Sequence, residues 1–482
     1  MQYEKKIEEI FARHPSVQVS GFSGRAYKAG IESMIAFDSA LGSPWKSFRC
    51  IHVAGTNGKG SVSSMLAASL ASTGLRVGLY TSPHLLDFRE RIRIVGKTSV
   101  LRDVSLQGPC GPESSTPTTV VVPPLLSSTG DTPEAPSGLS PFPYLSSPNT
   151  RAGRASDDAF IPYAHHLPGQ GEHSLLISKE EVMEFLERYE KEIESLSFFE
   201  ITTGMAFWWF ERQKVDVAVI EVGLGGRLDS TNVIIPELSV ITSIGLDHCS
   251  MLGDTRAEIA AEKAGIFKKG IPALVWGHDP ETDSVFEKQA KEVGADLHFA
   301  DEMIQPVHLD GMDLRGEYQD LNVRTTLAAL QLLGINPDFD AIRNTAKITG
   351  LRGRWEILQE NPTVICDIGH NPPALAHNFG QLTATGRPLI IVYGIMADKA
   401  LDDIAPLMPS RARYILCAPD TPRALPVAEL HKRLSALRPG LNLSVASSVK
   451  DAVASALKQV SPDTIIYIGG STFVVSEALQ ID

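Results

Sequence analysis

Short apolar runs alternate with helix-spaced segments along most of the chain. RCIHVA (49–54) has the pattern of a buried strand and GTNGKGS that of a turn. Val62, Met65, Leu66, Ser69 and Leu70 then recur at helical spacing before a second apolar run, RVGLYT. The alternation returns at VDVAVIEVG (215–223), ELSVITSIG (237–245), a helix near 256–267, and IPALVWG (271–277). It breaks near GLRGRWEIL (350–358) and restarts through TVICDIG, PLIIVYGI, ARYILCA and TIIYIGG, with helices between them. Alternation of this kind predicts an α/β protein. The expected division is a P-loop domain over 1–350, a mostly parallel sheet with helices on both faces, then a smaller Rossmann-like α/β domain over 351–482.

Residues from about 98 to 173 do not follow this plan. They are rich in Pro, Ser, Thr and Gly and have no periodicity. Such a composition buries too little apolar surface to offset its ordering entropy, so a disordered or loose surface insertion is expected. A lid or docking arm over a neighbouring site is the alternative.

Composition narrows the class. The 482 residues are 43% hydrophobic, enough for two or three cores, and the net charge is −13. That charge argues against broad contact with nucleic acid or an anionic membrane, so an anionic substrate must be held by local lysines, backbone N–H groups or metal ions. Cys50, Cys110, Cys249, Cys366 and Cys417 are scattered without a CxxC pair, as expected in a reducing compartment. MQYEKKIEEIFARH reads as a charged amphipathic helix rather than a leader. A soluble, cytoplasmic protein is the expectation.

The candidate chemistry starts at IHVAGTNGKGS (51–61). It departs from G-x-x-x-x-G-K-[ST]: Val53 stands where the first glycine belongs, and Gly60 separates Lys59 from Ser61. Gly55, Gly58 and Gly60 still free the backbone for close approach to an anion, Lys59 supplies charge, and Ser61 opens a helix with a hydroxyl. A strand-to-helix turn with a solvated lysine is the plainer alternative. Ser82, Glu221 and His248 follow or close predicted strands, so a parallel sheet would gather them on one rim with that loop.

GTNGKGS, TSPHL, SFFEITT, EVGLGGRLDSTNV, LDH, AEKAGIF, NVRTTLAAL, GRWE, DIGHNP, MADK and GGSTF occur in that order from about Gly21 to the end. Together they resemble the folylpolyglutamate synthases and dihydrofolate synthases, relatives of the Mur ligases, in which GTNGKG[ST] is the normal loop. The resemblance implies ATP-dependent ligation of L-glutamate to a carboxylate through an acyl phosphate. It implies that Thr56, Asn57, Gly58, Lys59, Gly60 and Ser61 hold phosphates, with Asn322, Arg354 and Asp367 completing an ATP site bridging the domains. It makes Ser82, Glu221 and His248 ligands of Mg²⁺, and Lys263, if carbamylated, a ligand of a second ion; it also admits a monovalent cation. Lys59, His248, Lys263, Asp367 and His370 form the implied catalytic set, and His370 and Ser471 the glutamate side. At 367–371 the chain reads DIGHN where the family usually has D-[GV]-A-H-N.

SPHL, SFFE and GGRLDSTN resemble the bifunctional enzymes more than those that only extend folates. That implies a dihydropteroate pocket of Lys28, Ala29, Ser197, Phe199, Glu200, Leu228, Asp229 and Ser230, Phe199 stacking on the pterin and Asp229 accepting from its N–H groups. Taken alone, Phe199 can also be read as core, Asp229 as a turn cap, Asn322 as a helix N-cap and Lys263 as an ordinary solvated or ion-paired lysine. Domain closure about residues 345–353 and a working monomer are further expectations. A folylpolyglutamate synthase alone, a Mur-type amino-acid ligase and a P-loop binding module stand as alternatives.

Overall fold

The computed structural model describes residues 2–15, 30–97, 101 and 171–481. Lys28, Ala29 and nearly all of the 98–173 insertion lie outside the described residues.

The first sheet contains β1 (Arg49–Ala54), β2 (Val77–Tyr80), β3 (Ile92–Val95), β4 (Ser174–Leu176), β5 (Val217–Glu221), β6 (Leu238–Ile241), β7 (Pro272–Val275) and β8 (Asp296–Phe299). Its order is β4-β3-β2-β5-β1-β6-β7-β8. The strands from β2 to β8 run parallel, while β3 is antiparallel to both β2 and β4. Successive side chains of a strand point to opposite faces. Accordingly Ala218 and Ile220 join one core with Tyr80, Phe207 and Trp209, whereas Val217 and Val219 join another with Ile51, Leu66 and Leu330. Both faces are covered, which is why these strands read as unbroken apolar runs.

The helix Lys59–Ser72 after β1 is buried on nearly every side, not amphipathic as its spacing suggested. It packs between the sheet and the helix Gln319–Leu332. Its many Ala and Ser residues leave room for close approach on both sides.

The second sheet comprises β9 (Glu356–Gln359), β10 (Thr363–Asp367), β11 (Leu389–Tyr393), β12 (Arg413–Leu416), β13 (Asn442–Val445) and β14 (Ile465–Gly469), ordered β13-β12-β11-β14-β10-β9. All neighbours are parallel except β9, which is antiparallel to β10. Ile365, Ile391 and Tyr467 fill one face and Cys366, Val392 and Ile468 the other.

The chain passes between the sheets just beyond the helix Thr345–Thr349, which ends at Gly350 with φ of 79°. Arg93 and Ser174 both donate to the Thr349 carbonyl and so moor that helix to the first sheet. The unmoored crossing is therefore shorter than the expected 345–353 hinge. Among the described residues no helix is long and apolar enough to cross a membrane.

Candidate nucleotide and ligation site

Four adjacent parallel strands, β2, β5, β1 and β6, end on one rim. The phosphate loop follows β1, Ser82 follows β2, Glu221 closes β5, and Thr242 and Ser243 follow β6. Crevices outside the carboxyl ends of such strands are where open α/β sheets bind ligands. Here the crevice is a cavity of about 300 Å³, walled on one side by residues 56–61, Ser82 and Glu221 and on the other by Arg354, Asp367 and His370.

The loop is held open from beneath. Thr242 and Ser243 donate to the Asn57 carbonyl at 2.7 and 3.2 Å, and Thr56 donates its hydroxyl to Gly245 at 3.1 Å. Gly58 has φ of 89°, and a Cβ there would run into Asn322 Oδ1. Only glycine meets both demands. Lys59 Nζ donates to the carbonyls of Gly55 and Thr56 at 3.1 and 3.2 Å, which keeps its charge over the loop.

Glu221 is 2% exposed and accepts from the Ser82 N–H at 3.0 Å. Burial raises its pKa, while Lys59, the Ser82 N–H, Arg354 and Arg91 pull it back. Ser61 Oγ, also buried, has no hydrogen-bond partner. A buried carboxylate beside two serine hydroxyls and the phosphate loop is an oxygen-donor set that fits Mg²⁺, which needs few protein ligands when phosphates and water complete its shell. Among the described residues no cluster of three or more His, Cys, Asp or Glu could hold a metal ion.

His248 and Lys263 lie outside the cavity wall. His248 has a left-handed backbone (φ 54°, ψ 36°) at the start of the short helix Cys249–Leu252. Burial pushes its pKa down to about 3, so its ring is neutral and able to ligate. Lys263 is 4% exposed on the helix Arg256–Ala264, not at the surface. Burial and then Lys59 lower its pKa to about 7, leaving much of the amine unprotonated near neutrality.

Asn322 lies inside the helix Gln319–Leu332, three residues past the first turn's start, so it is not the N-cap. It is 7% exposed, lines the cavity and donates to Gln319 at 2.8 Å. Asp367 is more fully engaged than its sequence suggested. Oδ2 accepts from the Tyr318 hydroxyl at 2.7 Å and the Trp355 N–H at 2.8 Å. Oδ1 accepts from the Gly369 N–H at 2.7 Å and Asn378 at 2.8 Å. A carboxylate has about four acceptor positions, and all are used. The Trp355 contact fixes a residue with φ of 50° next to Arg354, whose guanidinium reaches Gly60. Asp367 thus aims Arg354 at the phosphate loop.

Several other expected site residues serve local structure. Ser197 and Glu200 form a capping box at the start of the helix Phe198–Arg212. Asp229 accepts from the N–H groups of Gly223, Leu224 and Thr231 and the Thr231 hydroxyl, and burial raises its pKa. These four bonds hold the Asp229 carboxylate within its own loop. Ser471 caps the helix Thr472–Ala478 and is 2% exposed. Phe199 is partly buried, its ring 5.8 Å from that of Tyr80, and Leu228 and Ser230 are half-buried on either side of Asp229, which caps the 3₁₀ turn Ser230–Val233. Of the expected pterin set, none of the described residues lines the cavity between the lobes.

Tyr318, Asp247, Asn371 and Lys399 were not singled out from sequence. Burial pushes the Asp247 carboxyl up, but hydrogen bonding from His370 and the Lys399 ammonium hold it well below the usual range. Asn371 was legible in principle, because Asn followed by two prolines is an N-cap signal, and it does cap the helix Pro372–Ala384.

A phosphate loop facing a second α/β lobe across one cavity defines a two-lobed nucleotide-dependent ligase architecture. Residues 353–472 match the model of the Mur ligase glutamate ligase domain. The chain is 30% identical to a folylpolyglutamate synthase of Lacticaseibacillus casei, covering 92% of this chain and 91% of that one. It is 31% identical to a probable bifunctional folylpolyglutamate synthase/dihydropteroate synthase of Haloferax volcanii over 94% of its length, and spans about half (48%) of that relative. The solved structure of E. coli FolC in complex with DHPP and ADP superposes with a TM-score of 0.71 at 25% identity, covering 99% of this chain and 97% of that one. The chain belongs to the folylpolyglutamate synthase/dihydrofolate synthase family.

Proposed function

We propose that the chain ligates L-glutamate to the carboxylate of dihydropteroate and to the γ-carboxyl of folate glutamates, at the expense of ATP. The observation that carries this is the shared cavity: Lys59 and Glu221 from one lobe face Arg354 and His370 from the other across about 300 Å³. A substrate carboxylate oxygen attacks the γ-phosphorus, ADP leaves, and an acyl phosphate forms. The glutamate amine then attacks the acyl carbon, the C–O bond breaks, and phosphate and a proton depart.

Each step gathers negative charge, so positioned cations dominate the catalysis. Lys59 and the loop N–H groups cover the phosphates from one side and Arg354 from the other. Mg²⁺ would be held by Glu221, Ser82 and Ser61, with His248 as a further ligand, and would supply charge neutralisation for the transferring phosphoryl group. Lys263 is the proposed carbamylation site: its unprotonated amine can add to CO₂ and lose a proton, which leaves a carbamate anion. The domain boundary near 350 and a monomeric working unit belong to the same proposal.

Phosphate release measured with dihydropteroate, tetrahydrofolate or a UDP-muramyl substrate, each with and without L-glutamate, tests the reading. Glutamate-dependent release with either pterin is expected. Release only with the muramyl substrate, or release indifferent to glutamate, would overturn it.

A further inference from the structure

We propose that Asp247 is a positioning residue that fastens the two lobes together and, with the same carboxylate, sets the turn that presents His248. The inference rests on the ligase reading for its consequence in catalysis and on geometry for its existence.

Asp247 sits on the first lobe, two residues past Gly245, in the loop that supports the phosphate loop. Its Oδ1 accepts from Lys399 Nζ at 2.7 Å and from the His248 N–H at 2.9 Å. Its Oδ2 accepts from Asn371 Nδ2 at 3.0 Å, with His370 Nε2 at 3.4 Å. Lys399, Asn371 and His370 all belong to the second lobe. The Asp247 and Lys399 side chains are only 11% and 10% exposed. A surface ion pair contributes little, but a pair withdrawn from water matters because losing one member strands the other.

Asn371 ties in a third element. Its Nδ2 donates to Asn57 Oδ1 at 3.0 Å as well as to Asp247, while its Oδ1 accepts from Asn57 Nδ2 at 3.2 Å and from the Ala374 N–H at 3.1 Å. The phosphate loop, the turn at 247–248 and the start of the helix Pro372–Ala384 therefore meet at one amide, 2% exposed, with every donor and acceptor in use. The His248 turn is left-handed, a conformation that a non-glycine residue keeps only when its surroundings over-determine it. The Asp247 carboxylate captures the His248 N–H, and its other bonds come mainly from across the cleft. Separating the lobes removes those bonds, so the turn and the lobe interface stand or fall together.

The experiment uses the full chain with Asp247→Asn, Lys399→Met, Lys399→Arg and the double variant Asp247→Asn/Lys399→Met. Small-angle scattering reads lobe separation without any need for turnover. Steady-state phosphate release reads kcat and the KM for glutamate. Asp247→Asn and Lys399→Met should each enlarge the radius of gyration and lower kcat/KM for glutamate at least tenfold. The double variant should be no worse than the weaker single one, and Lys399→Arg should restore most of the compactness. An unchanged radius in both single variants, or losses that multiply in the double variant, overturns the proposal. If Asp247→Asn lacks a native near-UV spectrum, Lys399→Met against Lys399→Arg carries the same test. Absence of glutamate-dependent release by the unsubstituted protein would sink the ligase reading, while the scattering still decides the clasp.

Discussion

Replacing Tyr318 with Phe removes one oxygen and leaves the ring. That oxygen donates at 2.7 Å to Asp367 Oδ2, from the first lobe to the second, at the edge of the nucleotide cavity. A hydrogen bond to a charged acceptor contributes about 1.5–3 kcal/mol, which corresponds to roughly 10- to 150-fold in an equilibrium. Asp367 keeps its other three donors, so the variant should fold, and the deficit should fall on the arrangement Asp367 supports: Trp355 in its left-handed conformation and Arg354 over Gly60. The expected result is a fall of about one to two orders of magnitude in kcat/KM for ATP, the hydrogen-bond energy expressed as a rate ratio. The assay is glutamate-dependent phosphate release at varied ATP, with Asp367→Asn and the double variant completing a cycle. Tyr318→Phe within twofold of the parent, or a double variant whose loss is the product of the two singles, would refute the idea that this hydroxyl acts through Asp367.

Gly58→Ala should weaken nucleotide binding at least as strongly and cost about 1–2 kcal/mol in backbone strain, because its φ of 89° is left-handed and its Cβ meets Asn322. Gly60→Ala, with a Cβ 3.4 Å from Arg354 Nη2 and no left-handed φ, should be milder; equal effects in nucleotide titrations would contradict the geometry. Glu221→Gln should raise the Mg²⁺ concentration needed for half-maximal phosphate release roughly tenfold with the fold intact, since the carboxylate proposed to hold the ion is lost; an unaltered Mg²⁺ titration would remove Glu221 from the donor set. Lys263 is held at about 7 in the folded chain against 10.5 when free, so between those values the unfolded chain carries a proton that the folded one has released. Stability therefore rises with pH across that window and is flat below it. In CO₂-free buffer Lys263→Met should flatten the slope measured by denaturant unfolding, and a slope that persists would assign it elsewhere.

The apolar runs located the parallel strands well because both faces of each sheet are covered, which leaves almost no polar interruption in β1, β5, β10 or β14. The strands that escaped notice are short or at an edge. β13 is NLSV and largely exposed, and β3–β4 is an antiparallel pair whose second strand follows the long insertion. The phosphate loop was readable because its chemistry is local: glycines, lysine and serine within seven residues. The roles of Tyr318, Asp247 and Asn371 were not, since each is defined by a partner more than 40 residues away in sequence. Ser197, Glu200, Asp229 and Ser471 show the converse. Their side chains have the right chemistry for a ligand, yet each satisfies backbone N–H groups close by.

Among the described residues, the polypeptide passes from the first lobe to the second just after Gly350. The described part of the second lobe is contiguous in sequence from there, and its register on the first is held by side chains. Grafting the corresponding lobe of a relative would preserve both folds. Activity in such a chimera would follow whether the donor supplies partners for Asp247, Asn57 and Tyr318, so compatibility between lobes is written in a handful of interlobe hydrogen bonds.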